Sequence, residues 1–137
     1  MPGDLLGHMS FKNRDKAKQL IDYKNLQYGK IHPTDIDGLI EYHNIARVYF
    51  EFKYKDSPIP MGQQIALERL VDDARMAKKE AVLFLCSHSV PMEEDIDAAD
   101  AKVTAVYWNG KWRPGNNETV KSWVDRFLTW VDAMARG

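Results

Sequence analysis

The feature that most constrains this chain is the unbroken apolar run Ala81-Val-Leu-Phe-Leu-Cys86, closed by Ser87. A strand that faces water on one side alternates apolar and polar residues. A continuous run instead suits a strand buried on both faces, usually parallel to its neighbour. A parallel neighbour needs a crossover connection, and the chain supplies one just upstream. Residues 61–77 place Leu67, Leu70, Val71 and Ala74 at i, i+3, i+4 and i+7, the buried stripe of a helix. Before it, Val48, Phe50, Phe52 and Tyr54 alternate with Arg47, Tyr49, Glu51, Lys53 and Lys55, the period-two signature of a strand. Ser57-Pro-Ile-Pro60 separates the two. Strand, helix, buried strand reads as a βαβ unit, expected to be right-handed.

A shorter strand precedes this unit. Asp35, Asp37, Leu39 and Glu41 fall on one face, and Ile36, Gly38, Ile40 and Tyr42 on the other. Folding back about residues 43–46 makes a hairpin and brings Asp37 beside Glu51. A turn centred near Asn44 and Ile45 puts Glu51 nearest Gly38, within one residue of Asp37. Asp35 and Asp37 both remain candidates, with Asp37 favoured. Glu51 and Lys53 share a face about 6.6 Å apart along the backbone. Two carboxylates and an ammonium then converge on one edge of the sheet, a cluster suited to binding a divalent metal and hydrolysing a phosphodiester. The plain alternative is that Glu51 and Lys53 form a solvated strand face.

An Asp on one strand followed by Glu-x-Lys on the next resembles the core motif of the PD-(D/E)XK nuclease superfamily. Here Asp37 matches the Asp and Glu51-Phe52-Lys53 the triplet, while Pro33 stands ahead of Asp35, offset from the nominal Pro-Asp pair. In several branches of that superfamily a glutamine near the start of the crossover helix supports the catalytic centre. Gln63 and Gln64 both stand at that place, and Gly62-Gln63 is the closer match. The resemblance covers roughly residues 11–90. It implies a restriction-endonuclease-like core, that is, a single α/β domain with a central mixed β-sheet flanked by helices. Within it, Asp37 and Glu51 would hold Mg²⁺ or Mn²⁺, hard cations that prefer oxygen ligands, together with the backbone carbonyl of Phe52. Lys53 would orient or activate a water, and the product would carry a 5′-phosphate. The implied protein is a small stand-alone deoxyribonuclease, phage-type or Holliday-resolvase-like, that recognises DNA by shape. A catalytically inactive nucleic-acid-binding or assembly protein of the same fold is the competing reading, and a structural α/β domain with a coincidental motif is a third.

The rest of the chain reads as architecture. Residues 102–108 form a strand, Asn109-Gly110 a two-residue turn, and Lys111-Trp112-Arg113 the return. Asn116-Asn117-Glu118-Thr119 offers capping residues to a closing helix whose stripe is Val120, Trp123, Val124, Phe127, Leu128 and Val131. Trp108 and Trp112 are read as hairpin packing, with base stacking as the alternative. His32, His43 and His88 have no zinc-ligand spacing, and no glycine-rich phosphate loop is present. Cys86 is a lone thiol inside an apolar strand, which fits a small core residue and a reducing, cytoplasmic setting.

Charge matters here by distribution. The net charge is −1, yet residues 11–31 hold six basic against two acidic residues, and residues 91–100 hold five acidic and no basic ones. The first segment reads as a basic N-terminal helix able to track a phosphate backbone. Arg69, Arg75, Lys78 and Lys79 of the crossover helix are the next candidates for DNA contact. The acidic segment is expected to lie away from DNA, or else to add metal-binding carboxylates. No apolar stretch is long enough for a membrane span. DNA is the expected partner, with a homodimer or higher oligomer considered beside it. Residues 1–9 read as a tag or disordered leader, with Gly7-His8-Met9 resembling a cloning scar and Met9 a native start. The nuclease-like domain is then residues 10–137.

Overall fold

The computed structural model describes residues 20–136, which fall into two compact units, one ending at Pro33 and one beginning at Thr34. In the first, Tyr28 and Ile31 exchange backbone hydrogen bonds of 2.7 and 3.0 Å around Gly29, whose φ is +66°. A helix interior does not accept that left-handed conformation. Residues 20–31 are therefore turns and extended chain, not the expected basic helix. The remainder of that expectation, with Lys12, Arg14, Lys16 and Lys18, lies outside the described residues, as does the expected leader 1–9.

The second unit is a five-stranded mixed sheet with two helices. Strands β1 (Gly38–Tyr42), β2 (Ala46–Tyr54), β3 (Glu80–His88), β4 (Lys102–Trp108) and β5 (Lys111–Thr119) lie side by side in chain order. Helix α1 (Met61–Met76) joins β2 to β3, and α2 (Val120–Arg136) closes the chain. The β2–β3 pair is parallel and the other three pairs are antiparallel. The α/β fold read from the sequence is the one observed.

The two helices cover opposite faces of the sheet, and strand alternation assigns residues to each. Even-numbered Val48, Phe50, Val82, Phe84 and Cys86 pack with Val103, Val106 and Val120 beneath α2. Odd-numbered Tyr49, Ala81 and Leu83 pack with Tyr107 and the α1 residues Leu67, Val71 and Ala74. β3 is thus sandwiched, as its unbroken apolar run requires. Leu70, expected in the α1 stripe, packs against this cluster while only partly buried.

The turns follow local chemistry. Asn109 (φ +53°) and Gly110 (φ +77°) make the two-residue β4–β5 hairpin, the geometry that Asn-Gly favours. His43 (φ +52°) and Asn44 (φ +61°) turn β1 into β2, so His43 does belong to the hairpin. β5 runs further than its sequence suggests. Asn116 and Asn117, expected as capping residues, have left-handed φ values of +60° and +56° and sit within the strand, where its register with β4 shifts. Gly115 lies so close to Val103 that a Cβ there would stand 2.3 Å from its carbonyl oxygen. Thr119 alone caps α2, its Oγ1 accepting the Ser122 amide at 3.2 Å.

Candidate active site at the β1–β2 edge

Four of the residues singled out in the sequence meet where β1 leaves β2. The hairpin register pairs Gly38 with Phe50, so continuing it by one residue sets Asp37 opposite Glu51. The turn is centred on Asn44, half a residue from the expected position, and this places Asp37 rather than Asp35 opposite Glu51. One Asp37 carboxylate oxygen accepts the Phe52 amide at 2.8 Å, which ties the residue ahead of β1 to the edge of β2. Asp35 contributes only a backbone carbonyl, which accepts the Gln63 side-chain amide at 3.4 Å.

Glu51 and Lys53 share the α1 face of β2. Lys53 Nζ lies 3.1 Å from Glu51 Oε1 and donates to Gln63 Oε1 at 3.4 Å. Gln63 occupies the first turn of α1 and so bridges the helix to the strand pair. Gln64 turns elsewhere, donating to Glu68 at 3.1 Å. Of the two glutamines, the structure brings only Gln63 to the cluster. The ladder explains the convergence. Glu51 and Lys53 lie near the carboxyl end of a parallel strand, and the crossover helix begins beside that end, where α/β sheets commonly gather functional groups.

One expectation needs correcting. The cluster does not lie on a solvated edge throughout, because Glu51 is 2% exposed. It sits where β2 is flanked by β1 on one side and β3 on the other, with α1 above. Its Oε2 is buried and has no hydrogen-bond partner among the described residues. Removal from water raises the Glu51 pKa above the usual carboxylate range, and the negative charge of Asp37 raises it further. The hydrogen bond and charge of Lys53 pull the other way without prevailing. A buried carboxylate oxygen without a donor is costly, and a bound cation would satisfy it. The donor set therefore fits a hard divalent ion through Asp37 and Glu51. Among the described residues, no group of three or more His, Cys, Asp or Glu side chains is placed to hold a metal. Any further ligands at Glu51 would have to be backbone oxygen, water or substrate.

The other candidates fall outside this cluster. Cys86 pairs with Phe52 in the ladder but packs on the α2 side, 1% exposed. Burial, then the charges of Asp37 and Glu51, push its thiol pKa up to about 12, so it is an inert core residue. His88 ends β3, its ring edge-on to Tyr54 at 5.7 Å and its Nδ1 accepting the Val90 amide at 3.2 Å. The acidic segment follows β3, whose Ser87 pairs with Lys53 in the ladder. Its Asp97 caps the short 3₁₀ turn Ala98–Asp100, and Glu94, Asp97 and Asp100 line a separate cavity of about 410 Å³ with His88 and Lys102. Trp112 donates to Glu68 at 2.6 Å and packs its ring, tilted by 51°, against Tyr107 at 5.4 Å, as a packing residue does.

Of the basic residues on or after α1, Arg75 is paired with Glu80, and Lys79 donates to the Asn44 backbone at 2.9 Å. These two pin the far end of the helix to the sheet. No helix among the described residues is long and apolar enough to cross a membrane. Comparison with family models, with curated proteins and with solved structures finds no match to this chain.

Proposed function

We propose that this protein is a divalent-metal-dependent deoxyribonuclease of the PD-(D/E)XK type, hydrolysing DNA phosphodiester bonds at the Asp37–Glu51–Lys53 cluster. The observation that carries the reading is the Glu51 carboxylate. It is almost wholly buried, one oxygen is held by Lys53, and the other has no hydrogen-bond partner among the described residues. A side chain serving only as a solvated strand face would not be placed so.

In this reading Asp37 and Glu51, with the Phe52 carbonyl, hold Mg²⁺ or Mn²⁺. Such an ion supplies positive charge against the scissile phosphate and lowers the pKa of a bound water. The chain's own groups do the rest. The Phe52 amide fixes the Asp37 carboxylate, so that this ligand need not be ordered on binding. Glu51 and Gln63 hold the Lys53 ammonium from two sides. Lys53 orients the attacking water and offsets the charge that grows on the phosphoryl oxygens in the transition state. Gln63 is a positioning residue, acting through Lys53.

A panel of duplex, single-stranded and branched DNA, with and without Mg²⁺ or Mn²⁺, tests the proposal. Removing one such electrostatic group costs roughly 10²–10³ in rate, so Lys53→Ala should lose cleavage to that extent while its circular dichroism stays unchanged. Asp37→Ala should behave likewise and Asp35→Ala should be milder. Undiminished cleavage by Lys53→Ala would sink the assignment. Metal-dependent DNA binding without cleavage by the wild type would favour a non-catalytic binding protein instead.

Glu51 also sets the pH dependence. Holding a cation requires the carboxylate form, so metal binding should strengthen as pH rises through the raised Glu51 pKa and weaken below it. Mn²⁺ titration by calorimetry across that range checks this, with Glu51→Gln as the pH-insensitive control.

A further inference from the structure

The opposite face of the sheet holds a cavity of about 360 Å³ beneath α2. It lies in the size range of small-molecule sites and is unrelated to the Glu51 cluster, which is on the α1 side. Its cause is visible in the helix. Val120, at the start of α2, and Val131, in its second half, are the buried residues of the helix. Between them Trp123 and Phe127 are only partly buried, and Trp130 is 38% exposed. Fully buried Phe84 forms part of the lining from β3, and Trp108 faces in from β4. The space is thus bounded by flat rings that touch in pairs along its walls, Phe84 with Trp123 at 5.8 Å, Trp108 with Trp130 at 5.7 Å and Phe127 with Trp130 at 6.0 Å.

Charge gives the cavity a sign. Arg113 and Arg126 are its charged lining residues, and no carboxylate lines it. The Arg113 guanidinium lies over the Trp108 ring at 4.8 Å and that of Arg126 over Trp123 at 4.6 Å. Arg126 is paired with Glu118, but Arg113 makes no ion pair among the described residues. A planar guanidinium positioned over an indole can grip a carboxylate through two parallel hydrogen bonds.

We propose that this cavity binds a small aromatic carboxylate, its ring among Phe84, Trp123 and Trp130 and its acid group on Arg113. Aromatic walls select a flat apolar body, and the unpaired guanidinium at the mouth selects an anion at one end. A neutral aromatic would satisfy only the first requirement, and inorganic phosphate only the second.

The test uses 2-naphthoate and its uncharged analogue 2-naphthalenemethanol, each titrated into the full chain while ring-proton chemical shifts and heat are followed. Naphthoate should bind one to one, shift the Trp108, Trp123 and Trp130 indole signals, and exceed the alcohol in affinity by at least fivefold. Arg113→Gln, an exposed position that leaves the lining rings in place, should erase that preference while leaving the alcohol unchanged. Glu51→Gln should bind naphthoate like the wild type, since it changes only the other face. Equal affinity of the acid for wild type and Arg113→Gln would overturn the proposal. So would shifts confined to other residues, or no saturable binding of naphthoate at millimolar concentration.

Discussion

The two faces of the sheet solve burial differently. Beneath α2 the contacts are almost wholly apolar, and the large rings there leave a cavity. Beneath α1 polar groups reach into the interface, each with a partner. The Tyr107 hydroxyl donates to Asp72 at 2.9 Å, Trp112 Nε1 to Glu68 at 2.6 Å, and Lys53 to Glu51 and Gln63. The exception is Glu51 Oε2. Among the described residues Glu51 Oε2 is the one buried side-chain polar atom without a hydrogen-bond partner, so the α1 face carries an unmet polar group and the α2 face an unfilled apolar space.

The sharpest way to break this comparison is at Phe84, the largest fully buried side chain. Phe84→Ala should destabilise by about 3–5 kcal/mol, the usual cost of emptying a core ring site, read as a lower urea midpoint. A loss below about 1 kcal/mol would mean that the α2 face is too loosely packed to count as core.

A smaller and opposite effect is expected at Glu51. Because its pKa is raised in the folded protein, the native state binds a proton more tightly than the unfolded chain. Stability therefore falls as pH rises from the ordinary carboxylate value through the raised one. Glu51→Gln removes the buried charge and should stabilise the metal-free protein above that window by about 1–3 kcal/mol, the desolvation cost of an unsatisfied buried group. The gain should vanish at pH 4. A loss of stability at pH 8 would show that the Lys53 contact outweighs burial.

The smallest effect belongs to Tyr107→Phe, which should cost about 1 kcal/mol, the net worth of one hydrogen bond. Asp72 is half-buried and can turn to water once the hydroxyl is gone. Burial, aided by the Asp72 contact, pushes the Tyr107 pKa up to about 12. Wild-type stability should thus decline between about pH 10 and 12, and the Phe variant should lack that component. Identical high-pH unfolding profiles would place the hydroxyl outside the network.

These contrasts also show what was legible in the chain. The period-two alternation of β2 and the apolar run of β3 fixed the architecture, because side-chain direction along a strand follows directly from residue number. The same logic put Glu51 and Lys53 on one face. The β1–β2 register could be counted only to within one residue, since a three-residue turn and a four-residue turn look alike on paper. Burial of Glu51 was hidden, because exposure depends on α1 and β3, which come later in the chain. The strand character of residues 114–119 was obscured by Pro114, Gly115 and the two asparagines, which ordinarily mark loops but here form an irregular edge strand. Residues 20–31 carried charge without a helical stripe, and only tertiary context could show the turn at Gly29.

The strictly sequential strand order has a consequence for how the molecule comes together. β1–β2 and β4–β5 are hairpins closed by short turns, of a kind that forms in about 1–10 μs. β2 and β3 must find each other across helix α1, and β3 and β4 across residues 89–101. All the residues of the Glu51 cluster lie between Asp35 and Gln63, on the near side of both steps, yet Glu51 is buried only when β3 docks. The early hairpin would therefore carry a hydrated, normally acidic Glu51, and the cluster would acquire its buried carboxylate when β3 docks. If Glu51 holds a divalent ion as proposed, binding of that ion to the docked form would pull folding to completion and make assembly sensitive to its concentration.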